Sequence, residues 1–199
     1  MKKTMLICFV LLSAKTFAQN SDKGFVQGML QRLEFGVIAG ANYSNFTNAS
    51  FSTDPLTGFH VGGVVGFKIT KHFSIQEDFL FSTEGAKNKS DAFEKQDISL
   101  YYIRVPFLIR YKSNLGLFAE AGPQVGMKIK EDVSWMPGGQ FAKNVDAGIV
   151  GGIGYQSKIG LGIGARYIYG ISNVGNFNNA TVKNNFNNNN VQVSVFYIF

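Results

Sequence analysis

From Glu34 to the last residue the sequence alternates. Apolar side chains recur at every second position through eight segments, roughly 34–45, 58–70, 73–85, 98–111, 115–129, 143–156, 159–172 and 190–199. A period of two marks β-strands with two unlike faces. Each segment is long enough to cross a bilayer as a tilted strand, which takes about 9–11 residues. The connections alternate too. "Lys71-His72", "Lys112-Ser113-Asn114" and "Ser157-Lys158" are tight, whereas 46–57, 86–97, 130–142 and 173–189 are long and polar. The last of these is Asn-rich and cannot pack a core of its own. Short turns at one end and long loops at the other predict an all-β fold: an eight-stranded, antiparallel, up-and-down transmembrane β-barrel with both chain ends on the short-turn side.

A soluble ligand-binding barrel alternates in the same way, with its apolar parity inside. The other parity decides between the two. It is rich in glycine, including Gly36, Gly40, Gly62, Gly66, Gly122, Gly148, Gly162 and Gly164, set among a few ions. Glycine weakens a strand and gains nothing from facing water. It is useful where space is short, and the interior of eight strands is barely wide enough for its own side chains. The glycine parity therefore points inward and the apolar parity outward to lipid. Asp78, Glu120 and Asp146 can then pair with Arg104, Arg110 and Arg166 across the lumen, which Leu108, Phe118 and Ile168 help to fill. Such charges are tolerated only when paired. Charged residues make up 16% of the chain, too few for an all-round hydrated surface, where roughly a quarter is usual.

The N-terminus reads as an export signal. Lys2 and Lys3 precede the apolar "MLICFVLL", and "Thr16-Phe17-Ala18" offers small residues for cleavage after Ala18. The apolar run is well short of the ~20 residues of a spanning helix. Cleavage would remove Cys8, the lone cysteine, together with Lys2, Lys3 and Lys15, so part of the +6 formal charge belongs to the signal. The expected organisation is a signal over 1–18, a periplasmic leader over 19–33 with one or two helical turns in "GFVQGMLQRL", and the barrel over 34–199. No basic stripe with interleaved aromatics argues for nucleic acid.

The closing segment carries Val191, Val193, Val195, Tyr197 and Phe199 on one face. A barrel must pair its last strand with its first, because an open edge in lipid leaves backbone groups unsatisfied. The chain can thus finish at the membrane rim on an aromatic of the interfacial girdle. Tyr197 and Phe199 also have the form of the C-terminal address read by the outer-membrane barrel assembly machinery.

Four segments, "YYIRVPFLIRY" (101–111), "LFAEAGPQVG" (117–126), "DAGIVGGIGY" (146–155) and "VSVFYIF" at the end, resemble the PorT-like family of small outer-membrane β-barrels. The resemblance spans about residues 34–199 and implies a cell outer-membrane location. Arg104 stands where the family pattern leads one to expect an acidic residue. The founding member is linked to protein secretion, but these are strand patterns and imply fold and location rather than an activity.

No motif requires catalysis, a cofactor or a metal. "His72-Phe73-Ser74" has the His-x-Ser spacing of outer-membrane lipid A deacylases, yet it sits beside a short turn, at the wrong end for outer-leaflet chemistry. His60 is expected inward as a hydrogen-bonded filler. "Gly160-Leu-Gly162-Ile-Gly164" lacks the helix and the Lys-Ser/Thr of a phosphate loop. The sequons at Asn42, Asn45, Asn48, Asn88 and Asn179 are by-products of Asn-rich loops. Pro106 and Pro123, in adjacent strands, are expected to cause a bulge or kink. The functional reading is a barrel in contact with outer-membrane lipid, with a side-chain-filled lumen and a structural or interaction role through its extracellular loops, where a protein or ligand partner would bind. A narrow channel or secretion-associated component is the alternative, and a lipid-modifying enzyme the second.

Overall fold

A computed structural model of the chain describes residues 23–48, 53–88, 97–133, 141–176 and 186–199. The expected signal and the sequon at Asn179 lie outside these residues. The chain divides into two compact units, residues 1–33 and 34–199. In the first, Lys23–Leu30 form a short helix (α1). Its end is tightened by Gln31 N donating to Gln27 O and Arg32 N donating to Met29 O.

The second unit is a closed barrel of eight strands: β1 Leu33–Thr47, β2 Thr53–Lys68, β3 Phe73–Asn88, β4 Asp97–Lys112, β5 Leu117–Asp132, β6 Val145–Gln156, β7 Leu161–Gly170 and β8 Asn187–Ile198. Each strand neighbours the next, and β8 returns antiparallel to β1 from Gly36↔Ile198 to Thr47↔Asn187. Closure pairs every strand edge, which a hydrocarbon environment demands. Among the described residues no helix is long and apolar enough to cross a membrane; the crossing elements are strands.

The parity follows the glycine argument. On β8, Gln192, Ser194, Phe196 and Ile198 are buried, while Val191, Val193, Val195 and Tyr197 are exposed on the outer wall. The same outward apolar set recurs on every strand, for example Phe35 and Val37, Phe107 and Ile109, Ile149 and Ile153, and Tyr167 and Tyr169. Glycines let large lumenal side chains lie flat. A Cβ at Gly162 would collide with the Phe196 ring, and one at Gly40 would come within 2.6 Å of the His60 ring.

Three sequence expectations are corrected. Leu115 and Ile159 do not begin strands. They sit in four-residue turns, Ser113–Gly116 and Ser157–Gly160, each closed by Gly N donating back to Ser O at 3.1 Å. Gly116 and Gly160 both have φ of 90°, a conformation glycine adopts without steric cost. The second correction concerns the prolines. They interrupt the ladder as expected but produce no bulge: pairing skips from Glu77↔Phe107 to Leu80↔Arg104 around Pro106, and from Pro106↔Gln124 to Ile109↔Ala121 around Pro123, with the register unchanged across both gaps. Among the described strand pairings, the register shifts lie between Tyr101 and Tyr102, and between Pro55 and His60.

The third correction is the largest. At the long-loop end the strands outrun the apolar belt: β1 continues to Thr47, β3 to Asn88, β5 to Asp132, and β2 begins at Thr53. There the parity of polarity inverts. Phe46, Ile98 and Leu100 point inward and are buried, while Asn45, Thr47, Asp97 and Ser99 face outward. The Asn-rich segment is not all loop either. Asn187–Asn190 belong to β8 and pair with β1, and Val174 and Phe186 are buried in an apolar cluster that closes this end.

Candidate functional site

The lumen is filled in layers. At the long-loop mouth, Phe46, Ile98, Leu100, Tyr102, Phe141 and Phe186 form an apolar cap with Val133, Ala142 and Val174. The Phe46, Phe141 and Phe186 rings stack with centroids 4.8–6.1 Å apart. Backbone bonds fasten the cap, with Lys143 N donating to Val174 O at 2.7 Å, Val174 N to Phe186 O at 2.8 Å and Asn176 N to Phe141 O at 3.0 Å. Glu131 accepts from the Phe141 and Ala142 amides at 3.0 and 3.1 Å.

Below the cap lies a first ionic cluster. Arg104 donates through Nε and Nη2 to the two oxygens of Glu84, at 3.0 and 2.7 Å, and through Nη1 to Asp146. Its guanidinium lies 3.8 Å from the centroid of the Tyr102 ring. Ser82 and Asn188 also donate to Glu84. A second cluster runs Arg110–Glu120–Arg166–Asp78. Arg110 donates from Nε and Nη2 to Glu120 Oε2 at 2.8 and 2.6 Å. Arg166 donates to Glu120 Oε1 at 2.5 Å and to Asp78 Oδ2 at 2.6 Å, and Gln76 completes the shell of Asp78 at 2.7 Å. All seven ionic side chains are at most 5% exposed. The structure thus brings Asp78, Arg110, Glu120 and Arg166 into one network, and Arg104 and Asp146 into another whose centre, Glu84, the sequence reading overlooked. The signal was available: Asp78, Leu80, Ser82 and Glu84 share one parity of β3. Toward the short-turn end, Ile38, Val64, Leu80, Phe118, Phe196 and Ile198 fill the lumen, with the Arg110 guanidinium 4.1 Å from the Phe118 ring centroid.

His60 is hydrogen-bonded on both sides. Its Nδ1–H donates to Asn42 Oδ1 at 2.6 Å, and Nε2 accepts from Ser194 Oγ at 2.7 Å. The Asn42 amide fixes that tautomer, its two N–H groups shared among Ser82 Oγ, Phe59 O and Thr83 O. The order serine, imidazole, orienting amide is that of a nucleophile with its base. The three side chains are at most 3% exposed, so the Ser194 hydroxyl has no approach for a substrate. The other histidine, His72, donates Nδ1–H to Lys112 O at 2.8 Å, and no bond joins it to Ser74. Among the described residues no group of His, Cys, Asp and Glu could hold a metal.

A closed eight-stranded barrel whose outer wall is a belt of exposed Val, Ile, Leu, Phe and Tyr, and whose two ionic clusters are turned inward, has lipid as its solvent. The sequence matches the family model "Outer membrane protein beta-barrel domain" over residues 17–176. The chain belongs to this family. Its location is the cell outer membrane. Solved structures agree on the fold. The barrel is similar to Neisserial surface protein A at 20% identity and a TM-score of 0.53, over 83% of this chain and 97% of that one. It is also similar to the outer membrane protein OprG from Pseudomonas aeruginosa at 10% identity and a TM-score of 0.55, over 83% of this chain and 95% of that one. No functionally curated protein sequence matches it.

One outward residue breaks the lipid-facing pattern. On β3 that face reads Phe73, Ile75, Glu77, Phe79, Phe81, and Glu77 pairs laterally with Val65 and Phe107. On β4, Phe107 lies four residues from Tyr111 at the short-turn rim and six from Tyr101 at the other. With ~3.3 Å per residue and a tilt near 40°, Glu77 sits about 10 Å into the apolar belt. No hydrogen bond or ion pair joins it to another described residue. An ionisable group on the lipid face is destabilising in proportion to its depth. Glu77→Leu is therefore expected to stabilise the refolded barrel by about 1–2 kcal/mol in phospholipid vesicles, read from urea unfolding. A loss of stability would show that the carboxylate has a stabilising partner in the bilayer.

Proposed function

We propose that the barrel works through its extracellular face, as a structural or interaction protein, and not as an open pore. The observation that carries this reading is the aromatic cap over two fully paired ionic clusters. With the lumen filled, a partner outside the cell meets the barrel at its long-loop end. In outer-membrane barrels long loops are extracellular and short turns periplasmic, which turns the Phe46–Phe141–Phe186 cap outward from the cell. The PorT-like resemblance of the four strand segments supports a small barrel of this kind and adds no activity.

A narrow channel is the second reading, favoured by a strip of amides on the lumenal face of β8. Asn188 Oδ1 and both polar atoms of Asn190 and of Gln192 are buried and have no protein partner among the described residues. Buried polar atoms of this kind are normally satisfied by ordered water. Planar-bilayer recording separates the two. The purified barrel is expected to show no stable conductance, and liposomes containing it should not swell in sugar solutions. A steady open state would reverse the order of the readings. The Phe141→Ser/Phe186→Ser variant, which breaks the cap, is the positive control for opening the mouth.

A further inference from the structure

The periplasmic mouth of the lumen is shaped and charged unlike the extracellular one. It holds a pocket of about 50 Å³ walled by Lys68, Lys71 and Lys112, with Ser74 and Gln76 on β3 and Arg110 deeper in the barrel. Glu34 is the acidic residue of its wall. That carboxylate is committed to Lys68, whose Nζ lies 2.8 Å from it. Lys112 has a neutral partner, Gln156 Oε1 at 3.1 Å. Lys71, on the turn after β2, has no acidic partner among the described residues. Deeper in, Arg110 uses Nε and Nη2 on Glu120 and leaves Nη1 without a carboxylate. Arg110 and Arg166 are balanced by Glu120 and Asp78.

The balance of the mouth is therefore two ammonium groups in excess, Lys71 and Lys112, facing a cavity with hydroxyl and amide donors around it. The Lys112 ammonium donates to Gln156, another residue of the pocket wall, and this bond holds the charge at the pocket. We propose that this pocket binds a phosphate dianion, as free hydrogenphosphate or as the terminal phosphomonoester of a lipid headgroup at the inner leaflet. A tetrahedral group with two negative charges matches both the size of the cavity and the two uncompensated cations. Charge-assisted bonds from ammonium to phosphate oxygen are the stronger class of hydrogen bond.

The test uses the full barrel refolded in detergent without phosphate, with folding checked by heat-modifiable migration. Hydrogenphosphate is titrated at constant ionic strength against chloride and followed by calorimetry and ³¹P line width. Saturable binding is expected. Lys112→Gln and Lys71→Gln should each weaken it about tenfold or more, while Lys158→Gln, at the same rim but outside the pocket, leaves it unchanged. A second arm presents phosphatidic acid or phosphatidylcholine in nanodiscs and reads lipid retention by native mass spectrometry. Retention of phosphatidic acid that is lost in Lys112→Gln, without binding of free phosphate, assigns the ligand to the lipid. Chloride competing as well as phosphate, equal binding by the Lys112→Gln variant, or saturation by neither source overturns the proposal.

Discussion

Arg166→Ala is expected to destabilise the barrel by about 3–5 kcal/mol, because it removes one partner of a fully buried ion pair. Arg166 joins the two carboxylates of the lower cluster, at 2.5 Å to Glu120 and 2.6 Å to Asp78. Glu120 keeps Arg110 when Arg166 is lost, but Asp78 keeps only the Gln76 amide. The cost is therefore chiefly that of a stranded Asp78, fully buried in the lumen. Two comparisons isolate it. Tyr167→Ala, one residue on, deletes a ring that is 49% exposed on the lipid face and loses at most about 1–2 kcal/mol of contact by area. The double variant Arg166→Met/Asp78→Leu removes the cation together with the carboxylate it would strand, and should recover most of the loss, since buried pairs replaced by apolar groups are often neutral. Urea unfolding in phospholipid vesicles measures all three. Equal losses for Arg166→Ala and Tyr167→Ala would contradict the lumenal placement of Arg166.

The sequence made the barrel legible where the membrane imposes its pattern. Within the belt, lipid on one side and a crowded lumen on the other force strict alternation, so strand number, closure and inward parity could be read from Gly36, Gly62, Gly164 and their apolar neighbours. Beyond the belt that physics lapses. Outward residues meet water and become polar, inward ones meet the cap and become apolar, and the stretch from Phe46 onward reads as loop when the lipid template is carried too far. Strand ends were missed for this reason. The ionic residues Asp78, Arg104, Arg110, Glu120, Asp146 and Arg166 were visible as inward charges, but who pairs with whom depends on strand register and rotamer. Asp146, for instance, is 42 residues from Arg104 in sequence. Glu84 lies inside the expected strand 73–85 and on the parity of Asp78, but it stands at the end of the belt next to the expected loop and was not read as part of the lumenal network. Glu77 escaped because a single carboxylate in a run of Phe and Ile does not alter the period. The Ser194–His60–Asn42 contact joins β8, β2 and β1, and only closure brings those strands together.

Phe199 is expected to matter for assembly far more than for the stability of the assembled barrel. Its amide donates to Phe35 O at 2.9 Å, so the residue is bonded to β1 through backbone alone. Its ring is 76% exposed at the periplasmic rim and meets Tyr197 edge-on, with centroids 5.5 Å apart. Phe199→Ala keeps the backbone bond and forfeits roughly 1–2 kcal/mol of ring contact by area. That is small beside a ladder running from Gly36↔Ile198 to Thr47↔Asn187. We propose that the Tyr197–Phe199 pair is the address by which the assembly machinery engages the strand before it closes on β1. In that case Phe199→Ala, and equally a Lys-Lys-Glu extension after Phe199, should sharply lower the amount of barrel in the outer membrane. A tag inserted within 177–185 should be tolerated. Both C-terminal variants should refold into detergent from the denatured state with near-native heat-modifiable migration, because spontaneous folding needs no address. Normal outer-membrane levels for both variants would leave Phe199 as a girdle aromatic; failure to refold in detergent would make its role one of stability instead.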